Sequence, residues 1–220
     1  LKRLSYILIS LLVLTGCSAA NKAENQATED QVNIIDQTEK SDQTVKKDVY
    51  VPNPQITDDI NLVKVGETVI DDKGELILKS YKNINKTVKI GAVEMIVKEV
   101  KVMHFVPDYS MIDFFHAYTH EEEFDFVKVG VAVKNTSNED VKFTPVAFVK
   151  TSSGEHKTWE EDIYLEELNG EIQRNGVRKG NMGFILENMD DIKSIEILTS
   201  DVVNNKDVSV EKAKNITIDL

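Results

Sequence analysis

Phe126-Val127-Lys128-Val129-Gly130-Val131-Ala132-Val133-Lys134-Asn135 sets valine at positions 127, 129, 131 and 133 against Lys, Gly, Ala and Lys between them. Period-two alternation of that kind fits a strand with one face on a core. An amphipathic helix would repeat its apolar positions every three or four residues instead. The strand is expected to run through the middle of a sheet. Asn135-Thr136-Ser137-Asn138-Glu139-Asp140 supplies the turn that ends it.

Downstream of that strand, residues 141–143 and 146–150 resume the strand pattern, and Pro145 between them marks an edge or a change of strand. Ser152-Ser153-Gly154 is a turn. Residues 159–168 read as one short helix, because Ile163, Leu165 and Leu168 do not alternate and Glu160, Glu161, Asp162, Glu166 and Glu167 would cover its wet face. Trp159 is expected in the core or on a sheet face. Strands return at 179–186, 194–199 and 208–220, where Ile216, Ile218 and Leu220 alternate.

Upstream, Val93, Met95 and Val97 share one parity while Val100 and Val102 take the other. A strand can change parity and keep its core face only by inserting a residue, so a bulge is expected near Lys98 and Glu99. Gly91 marks another break. Residues 68–70 and 75–79 flank Asp71-Asp72-Lys73-Gly74, a hairpin turn in which the aspartates are turn formers. About seven to nine short strands with almost no amphipathic helix point to an all-β antiparallel sandwich.

The N-terminus has a different character. Lys2 and Arg3, an apolar run over 4–14 and the small-residue end Leu14-Thr15-Gly16-Cys17 follow the order of an export signal. The apolar run is shorter than the roughly 20 residues of a membrane-spanning helix. Leu14-Thr15-Gly16-Cys17 resembles the lipobox of bacterial lipoproteins. That resemblance implies a signal peptide over 1–16, lipid (palmitate among the acyl groups) on Cys17, and attachment to the extracytoplasmic face of the cell membrane. Cys17 is the only cysteine, which excludes internal disulfides, cysteine metal clusters and a thiol nucleophile elsewhere. Residues 17–60 are polar and acidic and read as a disordered tether with a root-mean-square reach of roughly 30 to 40 Å. The folded domain is expected over 61–220. Without Lys2 and Arg3 the chain carries 24 basic against 38 acidic side chains, a formal charge of −14. Such a surface repels phosphate backbones, so nucleic acid is not an expected partner.

The strand ending Val133-Lys134-Asn135-Thr136-Ser137, with Asn175-Gly176-Val177-Arg178-Lys179-Gly180 ahead of Met182-Gly183-Phe184, resembles a Gram-positive family of immunoglobulin-like domains of unknown function. The family is found in lipoproteins and in a mycobacterial immunoprotective secreted antigen. The resemblance spans about residues 88 to 200 and implies an immunoglobulin-like sandwich, with no catalytic residues and no cofactor to carry over. The chain departs from the family pattern in having Asn175 where a proline often precedes the glycine. It departs again in an acidic insertion over 107–125.

That insertion is the most unusual stretch. Asp113, His116 and His120 would share a face if it were helical, as a divalent metal set would need, although Ala117 stands where a zinc protease signature requires Glu. Tyr109, Phe114, Phe115 and Tyr118 are alternatively a partner-binding loop, or the stretch is a solvated loop between two strands with Phe114, Phe115 and Tyr118 packed down on the sandwich. The sequence has no Gly-x-Ser-x-Gly elbow, no Ser-x-x-Lys set with partners in plausible positions and no phosphate loop. The expected function is therefore a non-enzymatic binding module that meets an envelope or extracellular protein. A metal-binding protein or metal-dependent enzyme built on 107–125 is the alternative.

Overall fold

The computed structural model describes residues 50–187, 189 and 192–220. The expected signal peptide, Cys17 and most of the tether lie outside the described residues. The strands are β1 (Thr68–Asp71), β2 (Gly74–Ile90), β3 (Val93–Pro107), β4 (Phe124–Asn135), β5 (Val141–Phe143), β6 (Phe148–Thr151), β7 (His156–Thr158), β8 (Gly170–Ile172), β9 (Val177–Leu186), β10 (Ser194–Leu198), β11 (Val202–Asn204), β12 (Ser209–Glu211) and β13 (Asn215–Asp219). They form a long sheet in the order β1-β2-β3-β4-β9 and two shorter ones, β13-β10-β6-β7 and β12-β11-β5-β8. Every pairing is antiparallel.

The alternating strand read from the sequence is β4, held between β3 and β9. Its odd-numbered valines fill an inner core with Ile90, Val100 and Val102 of the long sheet and Phe143, Val149, Ile195, Ile197, Ile216 and Ile218 of the shorter sheets. The expected all-β sandwich is thus present. The bulge is present too: register shifts between Val97 and Glu99, so Lys98 is the extra residue. The 71–74 hairpin forms, and Gly74 carries it because its φ is +145° and a Cβ there would lie 2.3 Å from the Val106 carbonyl oxygen.

The other face of the long sheet carries a second core that alternation alone does not reveal. Leu76, Leu78, Met103, Phe105, Phe124 and Phe126 are covered by Ile56 and Leu62 from the N-terminal approach, by Phe115, and by Ile163 and Tyr164. The folded unit therefore starts before residue 61, because Ile56, Thr57 and Asp59 are already buried.

Two expected elements differ. Residues 159–168 hold one 3-10 turn, Trp159–Glu161, and no helix. Leu165 and Glu167 sit at φ +54° and +50°, which breaks any helical run. The segment instead lies flat on β9, with Asp162 accepting from the Tyr164 and Gly183 amides. Trp159 is 45% exposed, not core. The expected 208–220 strand is two strands in different sheets, β12 and β13. The chain turns between them where Asp201 accepts from Lys212 and from the Ala213 amide.

Candidate functional site

Lys98 in the bulge turns Glu99 and Lys101 onto the outer face, where Lys101 stands opposite Lys128 across the β3–β4 ladder. Both lysines are buried, at 1% and 4% exposure. Two ammonium groups side by side in an interior need a counter-charge, and Asp59 supplies it. Its Oδ2 lies 2.7 Å from Lys101 Nζ and 2.6 Å from Lys128 Nζ, and its backbone oxygen accepts from Lys101 at 2.7 Å. Glu99 Oε1 adds a contact of 3.1 Å to Lys128 and 3.7 Å to Lys101. Two cations and two carboxylates balance. Tyr81 lies 5.6 Å from Lys101 Nζ, and Tyr164 lies 6.0 Å from Lys128 Nζ, each measured to the ring centroid.

Burial pushes the Asp59 carboxyl up, but Lys128 and Lys101 outweigh it and hold the group below its ordinary value. Burial likewise disfavours charge on Lys128, and the Asp59 and Glu99 carboxylates reverse that, raising its pKa. The Tyr164 hydroxyl, buried and facing Asp59, Glu166 and Asp162, is held well above the ordinary phenol value. It has no hydrogen-bond partner among the described residues. This constellation clamps: it fastens residues 53–62 to the middle of the long sheet. Asn53 reinforces it by donating to the Tyr164 carbonyl, and Thr57 by donating to Asp71 and the Gly74 carbonyl.

Sequence reading placed Asp59 in the tether and did not single out Lys128. The signal that could have corrected it is Phe124 and Phe126, which share parity with Lys128, as Met103 and Phe105 do with Lys101. Large apolar side chains on the nominally polar parity mean that both faces are covered.

The 107–125 insertion folds as a 3-10 turn, Tyr109–Met111, and one helical turn, α1 (Ile112–Phe115). Phe115 is buried in the outer core, and Phe114 and Tyr118 pack against it. Of the four aromatics expected to meet a partner, only Tyr109 is widely exposed, at 89%. His116 caps the end of α1 and His120 lies beyond it, their ring centroids 6.4 Å apart. Asp113 does not join them: no group of three or more His, Cys, Asp or Glu suited to a metal ion occurs among the described residues. One helical turn is too short to stack residues 113, 116 and 120 on a common face.

An exposed hollow of about 230 Å³ lies on the outer face of β13-β10-β6-β7, lined by Phe148, Lys150, His156, Glu196, Leu198 and Asn215. Phe148 and Leu198 are direct cross-strand neighbours and form its apolar floor. Lys150 stands opposite both Glu196 and His156, so the walls offer donors and an acceptor.

Residues 82–208 match the profile of a domain of unknown function, DUF4352. The chain belongs to this family. It is 44% identical to the uncharacterized protein YdhF of Bacillus subtilis over 99% of each chain. It is 29% identical to the SPbeta prophage-derived uncharacterized lipoprotein YonS of the same organism, over 60% of this chain and 59% of that protein. A solved structure of a functionally unknown protein from Listeria monocytogenes is similar at a TM-score of 0.49 and 12% identity, covering 67% of this chain and 87% of that one. The Asp59 latch joins residues on both sides of the boundary of the family match, since Asp59 precedes residue 82 while Glu99, Lys101 and Lys128 lie inside it.

Proposed function

We propose that this chain is a lipid-anchored extracytoplasmic lipoprotein whose sandwich acts as a non-enzymatic binding module. The observation that carries the reading is the way the N-terminal approach meets the sheet. Residues 53–62 are fixed at an interior ion cluster, so tension on the chain from the N-terminal side is taken up by buried bonds before it reaches β1. A domain held by that end gains from such a fixing point. The lipobox-like Leu14-Thr15-Gly16-Cys17 and the relative named as a lipoprotein support the same reading. The Val-rich strand ending in Asn135-Thr136-Ser137 extends it to kinship with the mycobacterial secreted antigen.

The binding surface in this reading is the Phe148 and Leu198 hollow, because the insertion spends its aromatics on the outer core. Cys17→Ala is expected to move the chain from the membrane pellet to the soluble fraction. An unchanged pellet signal would refute the anchor. A photo-crosslinking side chain at position 148 on intact cells is expected to capture an envelope or extracellular protein, whereas the same group at exposed Tyr109 is not.

A further inference from the structure

The sheet β13-β10-β6-β7 has two free edges, and they are treated differently. At β7, Lys157 and Trp159 face β6, so the outward amides are those of His156 and Thr158, and the Glu161 carboxylate caps the second at 2.7 Å. Only three residues long and with one outward amide capped, that edge is a poor template for a further strand.

At β13, the Thr199 amide donates to the Lys214 carbonyl and the Leu220 amide to the Lys193 carbonyl. By the alternation of an antiparallel ladder, Ile216 and Ile218 also bond to β10. The N–H and C=O groups of Asn215, Thr217 and Asp219 therefore point away from the sheet. β13 pairs with β10 alone among the described strands, and all three of these residues are exposed. The strand carries no proline and no bulge of the kind that protects edges.

The side chains of this open edge are complementary to themselves. Asn215-Ile216-Thr217-Ile218-Asp219, paired antiparallel with a copy of itself about Thr217, sets Thr217 against Thr217, Asn215 against Asp219 and Ile216 against Ile218. The backbone groups that meet in that register are the outward ones of 215, 217 and 219. The amide of Asn215 faces a carboxylate, and a Thr–Thr pair is a favourable cross-strand neighbour. On the core side the isoleucines meet isoleucines, continuing the apolar layer. A one-residue slip would bring the inward-bonded groups of Ile216 and Ile218 to the junction and lose the pairing. We propose that β13 is a homodimer edge: a second copy of this chain adds its own β13 antiparallel, centred on Thr217, to give one continuous sheet of eight strands about a two-fold axis. The two Phe148 hollows then open on the same side of that sheet, which makes the assembly bivalent.

The full-length chain, purified in detergent from whichever cell fraction holds it, tests this without reference to anchoring or to any ligand. Native mass spectrometry is expected to release a mass of two chains. Hydrogen exchange at the Thr217 and Asp219 amides is expected to slow with rising protein concentration. Asn215→Lys, which sets a lysine opposite each Asp219, is expected to tighten the dimer roughly fivefold, and Asn215→Asp, which sets like charges there, to loosen it by a similar factor. Thr217→Pro removes only an outward N–H, so the inner ladder stands while the dimer is lost. A chain that stays monomeric, or a dimer indifferent to all three substitutions, overturns the proposal.

Discussion

Asp162 is a buried carboxyl whose charge the fold disfavours. Burial pushes its pKa up to about 6, against the lowering effect of the Gly183, Tyr164 and Leu165 amides, and Glu166 pushes the same way as burial. The folded chain thus holds this proton more tightly than the unfolded chain, whose carboxyl titrates near pH 4. Stability from this group is present in full below about pH 4, falls as pH rises to about 6, and is flat above. The span corresponds to no more than about 3 kcal/mol. Asp162→Asn keeps an oxygen for the Tyr164 and Gly183 amides and removes the titration. Urea unfolding midpoints measured between pH 4 and 7.5 are expected to lose that part of their slope in the variant. An identical slope in both proteins would show that another group sets it.

At the scale of elements, the segment 162–168 keeps its irregular path because β9 offers a smooth surface. A Cβ on Gly183 would lie 2.6 Å from Cδ2 of the Tyr164 ring, and one on Gly180 would lie 2.4 Å from Glu166 Oε2. Gly183→Ala therefore displaces Tyr164 from the outer core, with a loss of roughly 1–3 kcal/mol. Near-ultraviolet circular dichroism and denaturant unfolding together check this, since the tyrosine environment and the stability should change in the same variant. The same element shows why a helix was expected and does not form. Its apolar residues are divided between two cores, Ile163 and Tyr164 outside and Leu168 inside. No single helical face could serve both. In β3, by contrast, the parity change was sufficient to place the bulge, because only one insertion keeps Val97 and Val100 on the same core.

Across the whole molecule, Asp59 joins the N-terminal approach to strands far away in sequence. Asp59→Ala leaves Lys101 and Lys128 buried with Glu99 alone, and a broken buried ion pair costs about 3–5 kcal/mol. The loss is expected in denaturant unfolding, accompanied by earlier proteolytic cleavage within 53–62. Because the folded pKa of Asp59 is lowered, its contribution is present above about pH 4 and is lost as pH falls through the folded value. That slope is opposite in sign to the one Asp162 imposes. Acid titrations of the two variants therefore separate the two carboxylates.

What depends on near neighbours along the chain is written in the residues themselves: the β4 alternation, the bulge at Lys98, the 71–74 turn and hence an antiparallel sandwich. Side-chain parity along a strand is a local geometric property, readable wherever one face is buried. Which polar residues become interior depends instead on contacts between distant parts of the chain. Lys101 and Lys128 meet Asp59 over separations of 42 and 69 residues, and the cost of burying each charge is offset only when all have arrived. The fate of the insertion was decided in the same way, because Phe115 finds its partners Phe105 and Phe124 on two different strands. No period within 107–125 encodes that meeting.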